Sequence, residues 1–246
     1  MSENVTLEVL RYRPESDSEP QFQRYSVPFH DDWVVLDALN YIKDHLDSTL
    51  SFRWSCHMAI CGSCGMVING EPRLACHAFL RDYRDAVIRI EPLDHFPIER
   101  DLVTVMDGFM DKLASVKPYL ITNGKTPPQA VENLQTPLQL MAFKQYTLCI
   151  NCMLCYAACP QCGLDESFVG PAALALAHRY NLDSRDHGQA QRADVVASNE
   201  GIWECTFAGA CSEVCPKQVD PAAAIQQTKI SASLDWFKAR LMPGAQ

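Results

Sequence analysis

Twelve cysteines stand among 246 residues, and most of them fall into spaced groups. The stretch Cys149 to Pro160, CINCMLCYAACP, reads C-x2-C-x2-C-x3-C-P, a spacing that binds a 4Fe–4S cluster. The reason is reach. Three thiolates two residues apart close a tight loop around one face of a cubane, and the fourth, followed by proline, leaves that loop as the chain turns. In two-cluster proteins the fourth cysteine serves the other cluster, so the run predicts a partner. The partner is Cys205 to Pro216, CTFAGACSEVCP, which matches the first run except that Ala208 occupies the slot of Cys152. Exchanging the fourth cysteines gives one complete set, Cys149, Cys152, Cys155 and Cys215, for 4Fe–4S. The other set, Cys159, Cys205 and Cys211, lacks one thiolate. A cubane corner without a ligand loses its iron, so this set is expected to hold 3Fe–4S. Structural zinc also uses C-x2-C pairs, but two interlocked runs each ending C-x3-C-P suit it poorly.

A third group lies upstream. Cys56, Cys61 and Cys64, in FRWSCHMAICGSCG, have the C-x4-C-x2-C spacing of plant-type 2Fe–2S centres, whose fourth ligand comes from further along. Cys76 is the one candidate before residue 149. The intervening MVINGEPRLAC reads as a hairpin turning at Asn69-Gly70, which returns Cys76 to the loop. Gly62 and Gly65 let the backbone approach and turn N–H groups toward the sulfurs. His57 and His77 invite a two-histidine Rieske reading, but four cysteines already complete the shell. Cys162 lies outside every motif and reads as a small buried residue. No acid–base role is assigned to His30, His45, His95, His178 or His187, and no catalytic residue is expected in the chain. With 11 glycines there is neither a G-x-G-x-x-G nor a Walker loop for nucleotides.

Elements must hold these thiols. Residues 5–12 and 22–29 alternate partly with period two and read as a strand pair. Trp33 to Leu46 carries Val34, Val35, Ala38, Leu39 and Ile42 at helical spacing, with Asp31 or Asp32 as its cap. Val87 to Leu93 reads as a closing strand. Leu102, Val105, Met106, Phe109, Met110 and Leu113 mark an amphipathic helix. Residues 121–137 read as a polar surface excursion. Beyond it the residues between and after the cysteine runs read as helical, over Leu174–Tyr180, Ala193–Ser198 and Ala222–Leu241. The expectation is an α+β chain, with a β-grasp domain over 1–105 and an all-α domain over 106–246.

An apolar fraction of 48% supplies a core, and 21% charged residues is ordinary for a soluble protein. The formal charge of −9 argues against a nucleic-acid partner. The start, MSENVTLEVLRYRPES, lacks the apolar region of an export signal, so the cysteines are expected to stay reduced and serve metal. No apolar run approaches the ~20 residues of a membrane span. The chain by itself is expected to be soluble, on the cytoplasmic side in a bacterium.

Together these features resemble the iron–sulfur subunit of the succinate dehydrogenase and fumarate reductase family. The likeness covers nearly the whole chain: RWSCHMAICGSCGM, the paired runs, GPAALALAHRYNLDSRDHG and VCPKQVDPAAAIQQTK. The last two look most like the enterobacterial-type fumarate reductases. The resemblance implies a flavoprotein partner carrying FAD and the dicarboxylate site, and two hydrophobic anchor subunits that bind menaquinone. It implies a peripheral place on the cytoplasmic face of the inner membrane. Electrons would pass between quinol and FAD, with 2Fe–2S nearest the flavin and 3Fe–4S nearest the quinone. Pro160, Thr206 and Phe207 would then lie by the quinone, Lys229 would lie there too or be a solvated helix lysine, and DWFKARLM, 235–242, would contact the anchors or simply pack. Succinate oxidation through the same wiring is the alternative, as is another flavin-coupled carrier or a free-standing one.

Overall fold

The computed structural model describes residues 4–84, 86–122 and 132–241, and part of the 121–137 excursion lies outside them. The chain forms two compact units. One runs to Met106 and takes in Ile150–Ala158; the other comprises Asp107–Cys149 and the chain from Cys159 onward.

The first unit is built on a five-stranded sheet. Strands β1 (Asn4–Arg11) and β2 (Gln21–Pro28) pair antiparallel, from Asn4 opposite Pro28 to Arg11 opposite Gln21. Strands β3 (Gly65–Ile68) and β4 (Glu71–Leu74) form the expected hairpin. Its turn residues have φ of +49° at Asn69 and +82° at Gly70, the positive pair that a two-residue hairpin needs and that Asn-Gly supplies at low cost. Strand β5 (Ile88–Glu91) does not close the sheet as expected. The order is β2-β1-β5-β3-β4, so β5 is the middle strand, parallel to β1 and antiparallel to β3. A strand paired on both sides reads as an apolar alternation in either place, and Ile88 and Ile90 are fully buried.

Helix α1 (Val35–Tyr41) continues as a π-helical turn over Ile42–Leu46 and buries Val35, Leu36, Ala38, Leu39 and Ile42. Neither Asp31 nor Asp32 caps it. The cap comes from inside the first turn, where Asp37 Oδ2 accepts the Val34 N–H at 2.9 Å. Asp31 instead bonds Arg84.

A buried ionic cluster pins the edge of this unit. The Arg11 guanidinium donates to Asp101 Oδ1 (3.1 Å), Asp47 Oδ2 (2.5 Å), Tyr25 Oη (2.5 Å) and Thr49 Oγ1 (2.9 Å). Burial acts against the charge, and the two carboxylates hold it protonated. Asp101 also accepts the N–H groups of Tyr12 and Ser51. This cluster explains why no helix starts at Leu102. Asp101, with φ of +48°, is held by Arg11, Tyr12 and Ser51, and a short hairpin of β6 (Ile98–Arg100) and β7 (Val103–Thr104) surrounds it. Helix α2 begins at Asp107 and runs to Ser115, burying Phe109 and Leu113 and leaving Met110 exposed.

The second unit is helical. Helices α3 (Pro137–Phe143), α5 (Pro160–Leu164), α6 (Pro171–Asn181) and the long α9 (Pro221–Leu241) all start with proline, whose fixed φ suits the first position; the four-residue α4 (Leu154–Ala157) belongs to the first unit. Helix α6 packs on α9 through apolar faces and through His178, which bonds Thr228 Oγ1 at 3.0 Å and Gln227 Oε1 at 3.1 Å. Helix α7 (Gln189–Val196) is tied down by fully buried Arg192, which reaches Asp186, Asn181 and the carbonyls of Lys117 and Tyr119. A short α8 (Ala210–Glu213) precedes α9. Among the described residues no helix is long and apolar enough to cross a membrane.

Candidate metal centres

In the first unit the loop from Cys56 to Cys64 wraps its own sulfurs. Cys56 Sγ accepts the N–H groups of Met58 (3.4 Å), Ile60 (3.3 Å) and Cys61 (3.3 Å). Cys76 Sγ accepts from Ala59 (3.2 Å), and Cys61 Sγ from Cys56 and Ser63 (3.5 Å each). The hairpin therefore does return Cys76 to the loop. Positive φ at His57, Ala59 and Gly62 turns successive N–H groups inward, making a concave nest for negative charge. That suits an anionic cluster held by four thiolates. The loop's sulfurs differ in acidity. The Ser63 hydroxyl and then the Cys56 N–H lower Cys61 to about 6, while burial raises Cys64 to about 12. Ionised thiolate is the ligand, so binding a cluster here releases protons from the loop's thiols. His57 bonds Asp37 at 2.9 Å and is exposed, as is His77.

Residues 150–158 pack on this loop. A Cβ built on Gly62 meets Cys152 Cβ at 2.9 Å, Cys152 Cα at 3.0 Å and Ile150 O at 3.2 Å. Gly62 thus serves two needs, a left-handed backbone and closeness to a second chain segment. Cys152 and Cys155 lie in this unit; Cys149 and Cys215 lie in the second, packed against the core of Tyr146, Ala175, Val219 and Ala224.

The two cysteine runs share one backbone course. Asn151 and Met153 have φ of +52° and +67°, and the residues at the same offsets in the second run, Phe207 and Gly209, have +62° and +83°. Helices α4 and α8 also fall at matching offsets, directly after these positions. Ala208 consequently sits at the backbone position that Cys152 occupies in the first run.

Within the second unit, Cys159, Cys205 and Cys211 line one cleft, together with Ala208 and with Pro160, Thr206 and Phe207. The last three are exposed. Cys159 is lowered to about 6, first by the side chain of Cys162 and then by nearby N–H groups, while burial raises Cys211 to about 11. Lys229 donates from Nζ to the Cys205 carbonyl at 2.8 Å, with the Trp203 ring 6.0 Å away. Gln226 reaches Cys205 Sγ at 3.9 Å. The sequence offers no signal for Gln226, which is one amide on a helix face, nor for the individual N–H donors of the first loop. Among the described residues no three His, Cys, Asp or Glu side chains close on a single ion; thiolates around several irons stand wider apart than the ligands of one.

Comparison with known proteins agrees with this geometry. Residues 6–111 match the 2Fe-2S iron-sulfur cluster binding domain family, and residues 141–216 match the 4Fe-4S dicluster domain family. The chain is 56% identical to the fumarate reductase iron-sulfur subunit of Mycobacterium tuberculosis over 99% of this chain and 98% of that one. It is also 56% identical to that of Escherichia coli O157:H7, over 98% of each. A succinate dehydrogenase iron-sulfur subunit from Coxiella burnetii is 34% identical over 92% of this chain and 95% of its own length. Among solved structures, a chain of the Mycobacterium smegmatis Sdh1 complex in the apo form superposes with a TM-score of 0.84 at 25% identity, covering 96% of this chain and 98% of that one. With 2Fe–2S and 4Fe–4S domains in this order and relatives matched end to end, the chain belongs to the fumarate reductase and succinate dehydrogenase family of iron–sulfur subunits.

Proposed function

We propose that the chain is the electron-relay subunit of a membrane-bound quinol:fumarate reductase, passing electrons from menaquinol to an FAD subunit that reduces fumarate to succinate. Cys56, Cys61, Cys64 and Cys76 hold 2Fe–2S; Cys149, Cys152, Cys155 and Cys215 hold 4Fe–4S; Cys159, Cys205 and Cys211 hold 3Fe–4S. The clusters supply one-electron chemistry, and the protein's part is to position and insulate them. The dicarboxylate site is on the flavoprotein, so no side chain here is catalytic. In this reading the sequence divides into a 2Fe–2S domain over 1–105 and a helical two-cluster domain over 106–246, the second lending residues 150–158 to the first compact unit.

The observation that carries the reading is the repeated backbone of the two cysteine runs with Ala208 in the one slot that differs. It supports unlike clusters in one domain, which a free carrier does not need. Exposed Trp54, Met58 and Ile60 beside the first loop support docking of the flavoprotein there. Exposed Phe207 and Trp203 and the apolar residues Ile230, Leu234, Trp236 and Phe237 of α9 support two hydrophobic anchors at the other domain. The chain is then peripheral, held on the cytoplasmic face of the inner membrane. Quinone contacts Pro160, Thr206 and Phe207 at the cleft, with Lys229 steadying the Cys205 carbonyl behind them.

The test is purification from membranes under argon. The expected result is co-purification with an FAD protein and two anchors, about nine irons per chain as two, four and three, and faster turnover with menaquinol than with ubiquinol. A chain that elutes alone, stoichiometric zinc, or iron near two per chain overturns it.

A further inference from the structure

Cys162 belongs to no ligand set, yet it touches one. Helix α5 takes Cys159 as its N-cap and Pro160 as its first residue, which puts Cys162 one turn on. Side chains in a helix lean toward its N-terminus, so this thiol lies back over Cys159. The Cys162 side chain hydrogen-bonds to Cys159, and the backbone N–H groups of Gln161 and Cys162 reach the same sulfur. Cys162 is 2% exposed. Cys159 lines the cleft shared with Cys205 and Cys211, whereas Cys162 is absent from its wall. The thiol therefore meets the Cys159 sulfur from the protein side, behind the face that turns to the cleft.

We propose that Cys162 is a positioning residue for the 3Fe–4S centre: it donates its S–H to the Cys159 sulfur and raises the centre's reduction potential. The proposal rests on the reading that Cys159, Cys205 and Cys211 hold that cluster. One-electron reduction adds negative charge that spreads onto the ligand sulfurs. A donor aimed at such a sulfur stabilises the reduced form more than the oxidised one, and hydrogen bonds to sulfur are among the terms that set these potentials. An S–H is a weak donor, but this one is shielded from water, where a hydrogen bond is electrostatically stronger. The position also explains why an extra thiol in a cluster domain does not compete as a ligand: its partner is a ligand sulfur.

The experiment is an EPR-monitored redox titration of the 3Fe–4S signal in the intact complex, for the unmodified protein and for Cys162→Ser, Cys162→Ala and Cys162→Val. Serine keeps a donor, alanine and valine remove it, and valine keeps most of the volume. The expected result is a signal in all four, with the potential close to unmodified in the serine variant. In both apolar variants the reduced-to-oxidised equilibrium should fall about fivefold to tenfold, or ~40–60 mV for one electron. Unchanged potentials in the apolar variants overturn the proposal. So does an equal shift in all three variants, which reports packing, and so does loss of the signal in both apolar variants, which reports a structural role. If the unmodified complex shows no oxidised 3Fe–4S signal, the cluster assignment itself fails, and that outcome is visible before any variant is compared.

Discussion

Gly62 offers a direct measure of how tightly residues 150–158 are held against the first thiolate loop. Replacing it with alanine imposes two costs. Its φ of +77° is left-handed, which costs an L-residue about 1–2 kcal/mol. The new Cβ also lands 2.9 Å from Cys152 Cβ, 3.0 Å from Cys152 Cα and 3.2 Å from Ile150 O. These are backbone or near-backbone atoms that cannot swing aside, and overpacking of this kind costs about 1–3 kcal/mol. Gly70 is the matched control. Its φ is +82° and a Cβ there meets nothing within 4 Å, so Gly70→Ala carries the backbone term alone. The difference between the two variants, ~1–3 kcal/mol, isolates the contact with Cys152, and for a chain of this size it corresponds to roughly 2–12 °C in unfolding midpoint. Visible circular dichroism of the 2Fe–2S centre, followed on heating under argon, reads the midpoint for each variant in the intact complex. Gly62→Ala should melt below Gly70→Ala. Equal midpoints would refute the packing of residues 150–158 on this loop.

Other expectations follow from the second unit. Ala208→Cys restores a fourth thiolate at the position equivalent to Cys152, and the oxidised 3Fe–4S EPR signal should give way to that of a four-iron centre with a lower potential; a variant that keeps the 3Fe–4S spectrum would show that something besides the absent thiolate excludes the fourth iron. Lys229→Leu removes the bond to the Cys205 carbonyl and should slow quinol oxidation more than fumarate reduction by an artificial dye, whereas equal loss in both assays would point to faulty assembly. His178 is held below its usual 6.5 by burial, against the opposing bond from Gln227. A depressed pKa means that its contribution to stability is whole above pH 6.5 and is lost as pH falls toward the folded value. The thermal midpoint of the helical unit should therefore drop between pH 7 and pH 5, and His178→Gln should flatten that slope; an unchanged slope would show that other groups carry it.

The thiolate groups were legible because reach along a chain is a local property: C-x2-C-x2-C-x3-C-P states which sulfurs can share a cluster before any fold is known. The same holds for the Asn69-Gly70 turn, whose two residues carry their backbone preference with them, and for helices α6 and α9, whereas α7 begins at Gln189, four residues before the stretch that reads as helical. What only the tertiary structure decided depends on groups far apart in sequence. Strand β5 has the same alternation whether it closes a sheet or divides one, and its central place comes from pairing with β1 and β3. Helix α2 starts at Asp107 and not at Leu102 because Asp101 answers Arg11, ninety residues away. Residues 150–158 sit with the first unit, although they lie within the second cysteine domain in sequence, because Gly62 leaves room for Cys152. Cys162, which no spacing rule places, acquires its partner only when α5 turns it back over Cys159. Ligand spacing is written in one stretch of chain; register, burial and hydrogen-bond partners are settled between stretches, where no single segment holds the information.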